Sequence, residues 1–254
     1  MTAIGLGERT LAGVDVAKGH WIAAIEHPDG RAELRLISAF RDLTDRLPGG
    51  SLIVVDMPIG LPDRIVGTGR AAEQATRNVL RNRRSSVFSM PGRAVVEAHG
   101  IRMRTRLSIA EAFVRAGQLA RTLSDPPRGI SIQGFGLLPY VAEIDALLRV
   151  DRDLAGRVFE GHPELAFAVL NDGAEMEFAK TNPAGLAERH DLLVRHGIGP
   201  ELLAAALPRP AAEDDWLDAC VLLLVARRVA AGVALSFPDP PERDRFGLPI
   251  AIRA

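Results

Sequence analysis

The sequence predicts an α/β protein. A sheet opens with three closely connected strands, a helix and a fourth strand. A long, mostly helical section then precedes a fifth strand. Three observations carry this expectation. Leu11-Ala12-Gly13-Val14-Asp15-Val16-Ala17-Lys18 and Leu52-Ile53-Val54-Val55-Asp56 are apolar runs of strand length, each carrying one aspartate near its C-terminal end and followed by a turn containing glycine or proline. Through much of residues 58–150 the apolar residues recur instead at helical spacing. Residues 214–231 form the cleanest helical pattern in the chain.

Taken in order, residues 11–18 are the first strand and 21–26 the second, across a short turn. Pro28-Asp29-Gly30 is a turn signal, and residues 32–39 alternate, with Leu34 and Leu36 against Glu33 and Arg35. Such tight connections make an antiparallel meander. Residues 40–47 are short and amphipathic, fitting a helix that Gly49-Gly50 turns into the strand ending at Asp56. Helices follow at 70–82, 95–99 and 107–119, and Pro126-Pro127 breaks the chain. Pro139 is expected at the start of a helix over 140–149, where its missing N–H is not needed. Residues 157–164 read as a short strand ending at acids, followed by helices at 165–170 and 186–196. The helix at 214–231 has acids at its start and Arg227-Arg228 near its end, as the helix dipole favours, and Gly232 stops it. The tail holds a short final strand or hairpin. The expected organisation is one domain over residues 1–254 with an arginine-rich helical insertion at about 61–150.

The totals exclude several classes. The chain has 254 residues and a formal net charge of -1, so the molecule as a whole is not a generic polyanion binder. Its single cysteine, Cys220, lies in an apolar helical run and reads as a buried, inert thiol. The apolar run 217–226 is too short to span a bilayer, and the N-terminus lacks a leader pattern. A soluble, cytoplasmic protein with no membrane partner is expected; the sequence leaves its oligomeric state open.

Acids end or begin four elements: Asp15, Asp56, Glu160, and Asp215 with Asp218 on the last helix. Positions 215 and 218 share a helix face, as do 214 and 218, so spacing does not choose between Asp214 and Asp215. A lone buried carboxylate is costly, and clustered ones repel unless cations lie between them. Hard oxygen donors suit Mg²⁺ or Mn²⁺, and such ions can clamp an attacking water and a leaving oxygen in phosphodiester hydrolysis. The plainer reading is that these acids are solvated turn residues or helix caps. His162, just past Glu160, could activate water or simply occupy a turn; Glu164 could be a helix-start acid.

Between Leu61 and Arg115 there are eleven arginines against Asp63, Glu73, Glu97 and Glu111, so this segment is +7 while the remainder is -8. Arg83-Arg84-Ser85-Ser86 is its densest donor group, and guanidinium forks match phosphate oxygens. The competing reading is a solvated helical surface, or arginines neutralising acids of neighbouring elements. Lys18 and Lys180 are the only lysines and are further phosphate-contact candidates, although a surface lysine is the plainer reading of Lys180.

These stretches together resemble the DUF429 family, described as predicted nucleases with a ribonuclease H-like fold. The resemblance rests on Gly13-Val14-Asp15 with Lys18, Asp56-Met57-Pro58-Ile59-Gly60-Leu61-Pro62, and Arg83-Arg84-Ser85-Ser86-Val87-Phe88. Further on it rests on Ala142-Glu143-Ile144-Asp145, Glu160-Gly161-His162-Pro163-Glu164 with Phe167, Lys180, and Asp215-Trp216-Leu217-Asp218-Ala219. It implies a mixed central sheet with helices on both faces, and metal coordination by Asp15, Asp56, Asp215 and Asp218. It leaves the roles of Glu143 and Glu160 open. The expected function is divalent-metal-dependent hydrolysis of DNA or RNA, with Asp15, Asp56, Glu160, His162, Asp215 and Asp218 catalytic and Arg83, Arg84, Ser85, Ser86, Lys18 and Lys180 on phosphates. The alternatives are a metal-dependent phosphatase or nucleotide hydrolase on a small substrate, and a non-catalytic nucleic-acid or protein-interaction module.

Overall fold

A computed structural model describes residues 9–100 and 108–254, so Arg102, Arg104, Arg106 and Leu107 of the expectations above lie outside the described residues. In chain order the elements are β1 (Leu11–Ala17), β2 (His20–Glu26), β3 (Ala32–Ile37), α1 (Phe40–Arg46), β4 (Leu52–Val55) and β5 (Ile65–Val66). Next come α2 (Ala71–Val79), a 3-10 turn (Arg84–Ser86), α3 (Arg93–His99), α4 (Ile109–Thr122), β6 (Ser124–Asp125), α5 (Ile132–Val150) and α6 (Arg152–Ala155). The remainder is β7 (Val158–Gly161), α7 (Pro163–Leu170), α8 (Pro183–Arg195), α9 (Pro200–Leu203), α10 (Glu213–Ala230), β8 (Ser236–Arg243) and β9 (Pro249–Arg253).

The chain divides into two units. The first runs up to Asp56 and adds Gly156–Leu235 and Arg253–Ala254; the second is Met57–Ala155 with Ser236–Ile252. In the first unit the strand order is β3-β2-β1-β4-β7. The meander is antiparallel, while β4 runs parallel to β1 and β7 parallel to β4, which makes the sheet mixed. Alternation along the strands sends Leu11, Ala17, Leu52 and Val54 to one face, where they form a core with α10 and with residues of α7, α8 and α9. Trp21 points the other way and meets Phe40 of α1 edge-on, with ring centroids 5.2 Å apart. Helices therefore cover both faces. This is an α/β fold consistent with the ribonuclease H-like expectation.

The second unit contains the helices α2 to α6, the short parallel pair β5 and β6, and the neighbouring strands β8 and β9. Its interior is stitched by charge as much as by apolar packing. Arg93 is fully buried and pairs with Asp145 at 2.8 Å and with Asp244, under the ring of Phe246. Arg70 is buried against Glu73 at 2.8 Å and donates to the carbonyls of Ile59 and Gly60. A buried guanidinium is tolerable only when its donors are met in this way.

Several boundaries differ from the sequence expectation, and two of the differences have clear local reasons. Helix α5 begins well before Pro139, because Ser131 Oγ accepts from the Gly134 amide at 3.0 Å and starts the helix there. Pro139 then falls inside the helix, at the loss of one backbone hydrogen bond. Helix α8 starts at Pro183 rather than residue 186, since Asn182 Oδ1 accepts from the Gly185 amide at 2.7 Å.

Candidate functional site

The candidate site lies at the C-terminal ends of β1 and β4 and is built within the first unit. Residues Leu11 to Val14 pair with Leu52 to Val55, and the Asp56 amide continues the ladder by donating to the Val14 carbonyl at 2.9 Å. Carried one residue further, this register sets Asp15 beside Asp56. Both continue the alternation of Leu11 and Leu52, so both belong to the face covered by α10. Helix α10 approaches β1 so closely that a Cβ on Gly13 would overlap the Ala219 carbonyl and the Leu223 amide. Gly13 thus does more than flank the aspartate: its missing side chain lets the first turns of α10, with Asp214, Asp215 and Asp218, come down over the strand ends.

The resulting electrostatics are strained. Asp15 and Asp218 are buried, and Asp56 keeps part of its surface in solvent. Burial, then the charges of Asp56 and Asp218, push the Asp15 carboxyl well above its ordinary range. Burial raises Asp56 to about 7, with Glu160 and Glu164 adding to the rise and Lys180 opposing it. Asp218 is raised to about 6 by burial against the opposition of Lys180, with Asp56 and Glu164 adding further repulsion. The Asp15 Oδ1 atom accepts from the Val16 amide at 2.7 Å, but neither Asp15 nor Asp56 has an ion-pair partner among the described residues.

Lys180 is the cation of this cluster. Its ammonium donates to Asp218 Oδ2 at 2.6 Å and stands 3.4 Å from Asp214 Oδ2. Its own pKa rises despite burial because Asp218, Asp15 and Asp214 surround it. Asp215 is used differently: its Oδ2 accepts from the Ala212 amide at 3.0 Å and so caps the start of α10. Lys18, in the left-handed turn between β1 and β2, is near enough to Asp215 to favour its charged form.

At the end of β7, Glu160 is buried and pairs in register with Val55, one row before Asp56. Strand alternation therefore turns its side chain to the opposite face from Asp15 and Asp56, although its charge still reaches Asp56. His162 Nδ1 accepts from the Leu165 amide at 3.3 Å and caps α7. Glu164 Oε1 pairs at 2.7 Å with Arg189, which is wholly buried over the Phe167 ring, while Glu164 Oε2 is buried with no hydrogen-bond partner.

The arginine segment belongs to the second unit, and its members have different uses. Arg70 and Arg93 are interior counter-ions, and Arg64 donates to the Thr122 carbonyl. Arg83 and Arg84 flank or enter the 3-10 turn, where Ser86 Oγ donates back to the Arg83 carbonyl at 2.7 Å. Arg84 and Ser85 are exposed.

A hard divalent ion can be tested against these residues. The donor chemistry fits: the cluster is all carboxylate oxygen, and Glu164 Oε2 is a buried acceptor without a donor. The spacing as the side chains lie is looser. Among the described residues no three carboxylate, histidine or cysteine side chains are gathered as a ready-made chelate. The Lys180 ammonium supplies positive charge there instead. Sequence reasoning named Lys180 as a candidate for a phosphate or a carboxylate but not its partner, because the pairing with α10 crosses 38 positions. The Arg189 pair escaped it. Arg189 sits at helical spacing from Leu186 and Leu193, so a charge on an apolar face was the available clue to the Glu164 pair.

A mixed α/β sheet whose parallel strand ends carry an acid cluster under a terminal helix defines the class of protein. More particularly, the chain belongs to the DUF429 family, "Protein of unknown function (DUF429)", whose model matches residues 13–243. No curated protein and no solved structure matches the chain. Among the described residues no helix is long and apolar enough to cross a membrane.

Proposed function

We propose that this protein is a divalent-metal-dependent nuclease hydrolysing phosphodiester bonds of DNA or RNA. One observation carries the reading: Asp15, Asp56 and Asp218, from three distant segments, converge as mutually repelling carboxylates, and two of them make no direct ion pair among the described residues, feeling Lys180 only at longer range. A structural role for such a group would be served better by apolar residues of the same size. Asp15, Asp56 and Asp218 would hold Mg²⁺ or Mn²⁺, with Asp214 and Asp215 beside them on α10. When bound, the ion supplies charge stabilisation and a more acidic water. The chain's own residues do the rest. Glu160 adds negative field behind Asp56, and Glu164, held by Arg189, offers an acceptor oxygen. His162 at the start of α7 is a candidate proton carrier. Arg83, Arg84, Ser85, Ser86 and Lys18 take the phosphate-positioning roles, while Lys180 balances the acids until metal and substrate are bound.

The test is Mn²⁺-dependent cleavage of single-stranded, duplex and branched substrates by wild type, Asp15→Asn and Asp56→Asn. Each substitution removes one charge at nearly constant shape, and the expected loss is at least ~100-fold, the scale of removing an electrostatic stabiliser. Equal cleavage by wild type and both variants would sink the assignment.

A further inference from the structure

We propose that Arg77, Arg84 and Arg128 form a sequence-independent binding site for the phosphodiester backbone of a nucleic acid, with Ser85 and Asn78 as neutral donors. The proposal deepens the nuclease reading and rests on it for the choice of nucleic acid over other phosphate esters. The three arginines, from α2, the 3-10 turn and the loop after β6, line one open groove of about 350 Å³ in the second unit. None of the residues lining it is acidic and none is aromatic.

The cations are differently held. Arg77 is fixed: Nη1 donates to the Thr68 carbonyl at 2.9 Å, Nη2 to the Val87 carbonyl at 2.7 Å, and Nη2 to Ser89 Oγ at 2.8 Å. These partners are all neutral, so its charge is oriented but not cancelled. The nearby carboxylate, Glu73, is already engaged by Arg70 and by the Met90 amide. Burial, and then repulsion from Arg84, Arg128 and Arg70, lower the Arg77 pKa against the pull of Glu73. The guanidinium groups of Arg84 and Arg128 are exposed and make no hydrogen bond or ion pair with the described residues. Three like charges converging on one groove repel one another, and an anion with several oxygens relieves that repulsion while matching guanidinium geometry. Without an aromatic platform the groove cannot stack bases, and without paired base-reading contacts it grips backbone alone. Arg128 is the unforeseen member, since it lies 44 positions beyond Arg84 and past the +7 stretch that ends at Arg115.

The experiment is fluorescence anisotropy of labelled single-stranded and duplex oligonucleotides in EDTA, across a salt series. It compares wild type with Arg84→Gln, Arg128→Gln and, as an exposed control that does not line the groove, Arg209→Gln. Each groove variant is expected to weaken binding roughly three- to tenfold whatever the sequence, and to flatten the salt slope by about 1. The control should match wild type, and melting temperatures should be unchanged because neither groove side chain holds the fold. Unchanged affinity and slope in both groove variants would overturn the site. Binding of pyrophosphate or inorganic phosphate but of no oligonucleotide would also overturn it, in favour of a small-substrate pocket. Because EDTA removes the metal, loss of cleavage in the Asp15→Asn protein and loss of binding here fail independently.

Discussion

Lys180 donates to Asp218 across 2.6 Å and so binds the loop before α8 to the first turns of α10. A single ammonium serves Asp218 and Asp214 directly and Asp15 at longer range. The acid cluster is therefore held together by a cation that the chain itself provides, and under the proposed function a divalent ion entering the cluster would compete for Asp218.

Replacing Lys180 by glutamine tests this competition. The metal-free variant is expected to lose about 1–3 kcal/mol, less than a fully buried pair would, because the Lys180 side chain is 37% exposed. Its Mn²⁺ affinity should rise, giving a larger metal-induced rise in melting temperature than wild type. Calorimetric titration and thermal melting check both statements. A variant as stable as wild type with an unaltered Mn²⁺ response would show that Lys180 is only a surface partner.

The raised carboxylates make the metal-free protein pH-sensitive. Asp56 sits at about 7 in the folded chain against an ordinary value of 3.8, so the folded state holds its proton more tightly than the unfolded state does. The stability linked to this group is fully present below pH ~4 and is lost as pH rises through ~7. Relative to Asp56→Asn, wild type should therefore lose melting temperature between those limits, at ~2–4 °C per kcal/mol for a chain of this size. Saturating Mn²⁺ should erase the difference by favouring the charged form. Parallel melting curves from pH 4 to pH 8 without metal would contradict the burial of that carboxylate.

Gly13 should tolerate no side chain. Alanine there collides with backbone atoms of α10, Ala219 O and Leu223 N, which cannot turn aside as a flexible side chain can. Overpacking typically costs ~1–3 kcal/mol, and a clash with backbone belongs at the upper end of that range. Gly49→Ala, where a Cβ would meet nothing within 4 Å, should change stability by less than ~0.5 kcal/mol. Urea unfolding of the two variants measures the contrast, and equal effects would mean that α10 is not seated as described.

The buried pair of Arg189 and Glu164 should behave as a unit. Arg189→Met strands a buried carboxylate and is expected to cost ~3–5 kcal/mol, whereas Arg189→Met with Glu164→Gln should recover a good part of it. A denaturant double-mutant cycle gives the coupling. Additive losses would rule out a direct interaction and would leave Arg189 as a packing residue alone.

Much of this protein was determined by its sequence alone. The apolar runs ending at Asp15 and Asp56, the meander between them, the helix carrying Asp214 to Asp218 and the +7 segment all follow from local pattern and composition, because strand alternation, helix spacing and charge are properties of neighbouring residues. Tertiary structure decided which of those residues meet. Asp214 lies near Lys180 while Asp215 caps the helix, Arg70 and Arg93 turn inward while Arg84 and Arg128 share a groove, and Glu164 finds Arg189. Within the first unit those choices depend on strand register and on how closely α10 settles over Gly13. Contacts between residues far apart in the chain are set by packing and charge compensation, which local spacing does not encode.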